Sequence, residues 1–215
     1  MQTITLEKSI ALIPDGASLM VGGFMGVGTP ERLVDELVRQ GKRDLALICN
    51  DTAWPGRGVG KLVGAKALRK LVASHIGLNP DTQKQMMAGD LEVELVPQGT
   101  LVERIRAGGF GLGGVLTPTG VGTSVEAGKQ QVEVNGKKFL VETPLRADFA
   151  LVQSFLADYM GNLSYALTAR NFNPVMAMAA DTVIVCAENI VPVGVLAPDH
   201  VVTPAPVVDY LVANL

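Results

Sequence analysis

Short apolar runs alternate with amphipathic stretches through the first half of the chain, the rhythm of strands feeding helices. Ser18-Leu19-Met20-Val21 predicts a buried strand that stops at Gly22-Gly23. Over residues 30–40, Leu33, Val34, Leu37 and Val38 recur at helical spacing and share one face. Thr29 is expected as the N-cap of that helix, Pro30 as its first residue, and Gly41 just past its end. The pattern then predicts a strand over 44–49, an Asn50-Asp51 turn, and a loop carrying Trp54 and Pro55. Strand, helix and strand recur at 69–74, 81–88 and 91–96, and a further helix is expected over 100–107. Repeated β-turn-α units predict an α/β fold, an open and mostly parallel sheet with helices on both faces.

Two regions break this rhythm. Seven of the fifteen residues over 108–122 are glycine, yet Leu112, Val115, Leu116 and Val121 would prefer burial. A loop packed against a ligand or a subunit fits that mixture better than a free linker. Residues 131–142 then alternate around Asn135-Gly136, the signature of a hairpin with a type I′ turn, expected as a decoration on the α/β core. Strands at 149–153, 163–166 and 182–186 and a helix at 173–180 complete the prediction, and the chain shows no fixed-period repeat.

Composition narrows the picture in three ways. The 215 residues are 48% hydrophobic and only 5% aromatic, so the core must be aliphatic, and the apolar balance suggests a surface that meets a partner. A net charge of -3 argues against nucleic acid or an acidic membrane as the main partner. The two cysteines, Cys49 and Cys186, close apolar runs and read as reduced core thiols in a cytoplasmic protein. Neither takes part in a metal spacing, so no metal is expected. The start Met1-Gln2-Thr3-Ile4 lacks the basic and apolar blocks of a signal peptide, and residues 175–187 are too short to span a bilayer.

The densest chemical signal is the run Asp15-Gly16-Ala17-Ser18-Leu19-Met20-Val21-Gly22-Gly23-Phe24-Met25-Gly26-Val27-Gly28-Thr29-Pro30. A strand, a glycine-rich turn and a helix start let backbone approach a ligand closely and offer N–H donors to an anion. A dinucleotide fingerprint from Gly26 would need glycine or alanine where Glu31 stands. A Walker A loop from Gly23 to Gly28 would need lysine where Thr29 stands. Both familiar nucleotide motifs therefore fail, and tight helix–strand packing remains the plain alternative. Gln98 lies between a strand end and a helix start, where its amide faces a cleft or caps the turn, and Asn50 follows a strand end in the same way. His75 reads as a loop or interface residue, His200 as a structural turn residue, and Arg104 and Arg106 as a solvated helix face. Met86, Met87, Met176 and Met178 read as fillers of core or interface gaps. Glu188-Asn189, the sole Glu-Asn pair, reads as a polar strand end.

Residues 15–30 resemble the glycine-rich signature of family I CoA-transferases: an Asp-Gly pair, an apolar triplet, Gly-Gly-Phe and a spaced Gly-x-Pro. The resemblance continues through Ile48-Cys49-Asn50-Asp51-Thr52, Leu71-Val72-Ala73-Ser74-His75-Ile76-Gly77, Thr117-Pro118-Thr119-Gly120 and Asn171-Phe172-Asn173-Pro174, and covers nearly the full chain. It points to the alpha subunits that serve acetate, butyrate and acetoacetate, with the succinyl-CoA:3-oxoacid branch as an alternative. The resemblance implies a CoA-transferase-like fold, one domain over 1–215 and a ping-pong exchange through a glutamyl-CoA thioester. In that family the glutamate belongs to a homologous beta subunit, in a Ser-Glu-Asn-Gly context absent from this chain. An α2β2 assembly follows, with acyl-CoA and a small carboxylate as substrates and no cofactor besides the CoA thioester itself. By the same resemblance Gln98 holds an oxyanion, and Gly22, Gly23, Phe24, Met25, Gly26, Val27, Gly28 and Asn50 shape the substrate pocket. A sugar-phosphate isomerase with its phosphate at the Thr29 helix start, or a non-catalytic acyl-CoA-binding module, remain alternatives of another class; neither accounts for the whole 15–30 pattern.

Overall fold

The structure, a computed structural model, describes residues 1–213. In chain order the elements are β1 (Gln2–Ile4), α1 (Leu6–Ala11), β2 (Ser18–Val21), α2 (Glu31–Arg39), β3 (Leu45–Ile48) and α3 (Gly60–Gly64). Then come β4 (Leu68–Ala73), α4 (Pro80–Ala88), β5 (Glu92–Leu95), α5 (Gln98–Gly109), β6 (Val115–Thr117), β7 (Gln131–Val134) and β8 (Lys137–Glu142). The chain closes with β9 (Ala147–Asp158), β10 (Leu163–Ser164), α6 (Asn173–Met178), β11 (Ala180–Val191) and β12 (Tyr210–Val212).

Nine strands form one sheet in the order β1-β12-β11-β9-β2-β3-β4-β5, with β10 attached antiparallel to β9 and every other pairing parallel. The apolar runs are continuous because parallel strands are covered on both faces. Successive residues consequently feed opposite cores. Leu19, Val21, Leu151, Ile184 and Cys186 pack with Leu33, Val34 and Leu37 of α2 on one face. Met20, Ala150, Val152, Val183 and Val185 pack with Leu101 and Ile105 of α5 and Met176 of α6 on the other. Full burial of a leucine such as Leu33 or Leu37 contributes roughly 1.5–3 kcal/mol. At the lower ends of the central strands, Asp148 accepts from the Ser18 N–H and hydroxyl, both at 2.7 Å, which pins β2 beside β9.

Several expectations shift. Pro30 rather than Thr29 occupies the cap of α2, with no side-chain cap, because Thr29 is buried against the open side of Gly23. The 108–122 stretch is not a loop throughout. Gly108 and Gly109 finish α5, and β6 joins the hairpin in a three-stranded antiparallel sheet, β6-β8-β7. Asn135 and Gly136 both have positive φ, 50° and 71°, as a type I′ turn requires. Arg104 is buried, not solvated. Its guanidinium donates to the Thr143 carbonyl at 2.8 Å and to Glu94 at 2.7 Å, beside the buried Glu142 that Lys129 holds at 2.6 Å. Those charges dock the small sheet onto α5. Of the methionines, Met176 is core, whereas Met86 and Met87 are exposed. Glu188 and Asn189 lie within β11, which runs on to Val191.

Candidate active site

The chain leaves β2 toward β3, β4 and β5, whereas β9, β11 and β12 extend the sheet the other way. Such a reversal opens a crevice above the carboxyl ends of the strands, where ligands of open α/β sheets bind. The segments that follow β2, β3, β4 and β5 converge there. They line a cleft of about 400 Å³ with Phe24, Met25, Asn50, Asp51, Ser74, His75, Leu78 and Gln98.

Its polar wall is a chain of hydrogen bonds whose direction is forced. Asp51 can only accept as a carboxylate, and its Oδ2 takes the Asn50 Nδ2 at 2.7 Å and the Met25 N–H at 2.9 Å. Its Oδ1 takes the Ala53 N–H at 2.8 Å. With its nitrogen committed to Asp51, Asn50 turns its Oδ1 toward Gln98, whose Nε2 donates to it at 2.7 Å. The Ser74 hydroxyl adds donations to the Asn50 carbonyl at 2.7 Å and to Oδ1 at 3.1 Å. Asn50 and Asp51 are buried while Gln98 is exposed, so the chain runs from the protein interior to the cleft. An amide nitrogen carries two hydrogens, and one Gln98 N–H remains for a ligand.

The glycine turn is held at both ends. Phe24 and Val27 pair through two 2.9 Å backbone bonds, and the turn between them places Met25 and Gly26 at φ 49° and 81°. Asn173, fully buried on α6, donates to the Gly28 and Ala169 carbonyls, both at 2.9 Å, and accepts from the Gln153 N–H at 3.1 Å. A Cβ on Gly22 would sit 1.8 Å from the Asn173 Oδ1, so only glycine admits this strut.

Of the residues expected at the site, Phe24, Met25, Asn50 and Gln98 meet in one cleft. Gly22, Gly23 and Gly26 instead line a closed void with no room for a water, and Gly28 borders a separate hollow with Arg32, Gln153 and Glu188. Val27 is exposed. Among the described residues the N–H groups of Gly23, Gly26 and Gly28 find no acceptor. His75, expected as a loop or interface residue, lies in the cleft wall because Asp51 and His75 extend the β3–β4 pairing past the strand ends. The sequence pattern leaves Asp51, Ser74, His75 and Asn173 outside the expected site. The signal that finds the first three is position: each stands one to three residues beyond a parallel strand.

Candidate nucleophiles are few. Cys49 lies next to Asn50, but burial pushes its thiol well up, with the Asp51 charge adding to the effect, so it stays protonated. Burial likewise raises Cys186, despite Arg32 nearby. Among the described residues Asp51 is the one carboxylate lining the cleft, and three donors engage its two oxygens. Glu188 does not line this cleft. Among the described residues no group of three His, Cys, Asp or Glu could hold a metal ion, and no helix is long and apolar enough to cross a membrane.

Residues 3–214 match the Coenzyme A transferase family. The acetate CoA-transferase subunit alpha of Escherichia coli (strain K12) is 53% identical over 211 residues, 98% of this chain and 96% of that protein. The acetoacetyl-CoA:acetate/butyrate CoA transferase alpha subunit of Clostridium acetobutylicum is 50% identical over 209 residues, 97% and 96% of the two chains. An acyl-CoA transferase of E. coli O157:H7, solved as a thioester complex with CoA, superposes with a TM-score of 0.87 at 22% identity. It covers 99% of this chain and 47% of that longer one, a likeness of fold. The match along nearly the whole chain, on a fold that gathers Phe24, Met25, Asn50 and Gln98 around one crevice, makes this chain a member of the Coenzyme A transferase family.

Proposed function

We propose that this chain is the alpha-type subunit of a heteromeric CoA-transferase that exchanges CoA between an acyl-CoA and a short-chain or 3-oxo acid such as acetate, butyrate or acetoacetate. One observation carries the reading. The cleft ends in an oriented amide donor, Gln98, and Asp51, the one carboxylate lining it among the described residues, is buried and engaged by three donors. Such a wall suits stabilising charge on a reacting carbonyl better than attacking it, since its carboxylate is held by three donors and its Ser74 hydroxyl donates to Asn50. A nucleophile supplied from across an interface, a glutamate of a homologous partner chain in an α2β2 assembly, complements such a wall.

In this reading the partner's glutamate attacks the acyl-CoA carbonyl and expels CoA thiolate, leaving a mixed anhydride. The thiolate attacks the glutamyl carbonyl and releases the acid, which leaves a glutamyl-CoA thioester. An incoming carboxylate repeats the steps in reverse, so CoA is conserved without a further cofactor. Each addition creates an oxyanion, and the free Gln98 N–H is a donor placed in advance for it. Phe24, Met25 and Leu78 offer an apolar floor for a short alkyl chain. The reduced thiols and the acyl-CoA substrate suit a cytoplasmic enzyme.

Replacing Gln98 by Ala in the assembled enzyme should lower turnover of acetoacetyl-CoA with acetate by roughly ten- to a thousandfold, the usual loss for an oxyanion donor. An unchanged rate would remove Gln98 from the mechanism.

A further inference from the structure

We propose that His75 binds the carboxylate of the exchanging acid, donating from Nε2 on the wall of the cleft it shares with Gln98. This rests on the cleft being the acyl site. The exchanged acid enters as an anion, and moving it out of water is costly unless donors or a cation meet it. No lysine or arginine lines this cleft among the described residues, and its one formal charge is the negative Asp51. Among the described residues His75 is the one lining side chain able to carry positive charge.

Its ring is held for that task. Nδ1 accepts the Gly77 N–H at 3.2 Å, so the neutral ring keeps its proton on Nε2 and remains a donor whether neutral or charged. Gly77 has no left-handed backbone to explain a glycine. A Cβ there would stand 2.7 Å from the His75 Cε1 and 3.1 Å from Nε2, so the missing side chain is space for the imidazole. The segment beneath the ring is tied down in turn. The Gln83 amide donates to the Ile76 and Gly77 carbonyls at 3.3 and 3.2 Å, and the buried Asn79 donates to the Thr52 carbonyl at 3.0 Å.

The test uses the assembled enzyme with acetate and acetoacetyl-CoA. His75→Ala should raise the KM for acetate about ten- to a hundredfold and leave the KM for acyl-CoA within about twofold, the loss of one hydrogen bond to a charged group. Gly77→Ala, which displaces the ring, should raise the acetate KM in the same direction but less. Added to His75→Ala, it should change nothing more. An unchanged acetate KM in His75→Ala overturns the proposal, as does a Gly77→Ala defect that persists at full size without the imidazole. Failure of the assembled wild-type enzyme to transfer CoA would overturn the proposed function instead, a result the KM comparison does not mimic.

Discussion

At the scale of single residues, Asp51 does more for the site than its turn-like context suggests. Its carboxylate is the fixed end of the amide relay, because a group that only accepts dictates which way Asn50 points, and Asn50 then dictates Gln98. Asp51→Asn keeps the size but introduces an NH₂ that must face either the Ala53 N–H or the Met25 N–H. The clash should cost about 1–3 kcal/mol of stability. The loosened relay should also lower turnover at least about tenfold. Urea denaturation and steady-state rates on the same variant check both parts, and unchanged kcat in a destabilised protein would mean that Asp51 serves the fold alone. Much of this site was legible in the sequence: Gln98 and Asn50 stand out because polar residues follow apolar strands. Asp51 and His75 were not, because an Asx-turn and a loop histidine leave the same trace whether or not a cleft opens above them. Asn173 was hidden for another reason. Its partners, Gly28 and Gln153, lie far away in the chain and only the sheet order brings them together.

At the scale of elements, periodicity located most strands and helices, because parallel strands covered on both faces must be continuously apolar. It failed where tertiary contacts set the outcome. Three residues, Val115–Thr117, are too short and too hemmed by glycines to announce a strand, and β8 supplies the edge they pair with. The ends of β9 and β11 were also underestimated, since they run beyond their apolar middles as a ten-residue-register pair from Ala180–Ala147 to Val191–Asp158. The turn leaving β9 is organised by Asp158. Its Oδ1 accepts the Met160, Gly161 and Asn162 N–H groups, each at 2.9 Å, and Oδ2 accepts the Asn162 amide at 2.8 Å. Burial pushes this carboxyl up, but the donations from Asn162, Met160 and Gly161 outweigh it and hold it below the ordinary aspartate value. A carboxyl depressed in the folded state adds stability above its unfolded pKa, and that stability is lost as pH falls through the folded one. Asp158→Asn should therefore unfold at lower urea than the wild type at neutral pH, with the gap closing below about pH 4. An equal gap at both pH values would contradict this account of the turn.

At the scale of the whole molecule, the surface matches a chain that works in company. Phe155, Tyr159, Met160, Val193 and Val195 are all at least 40% exposed, and they belong to the far ends of β9 and β11 and the segments that follow them. The cleft is open and holds an oriented donor and a histidine, and its one carboxylate among the described residues, Asp51, is buried and held by three donors. The division of labour between two chains is the central claim, and it is read most directly by the mass of each chain. The assembled enzyme, incubated with acetoacetyl-CoA and quenched in acid before the acceptor is added, should show the mass of covalent CoA on the partner chain and none on this one. A CoA adduct on this chain would contradict the account.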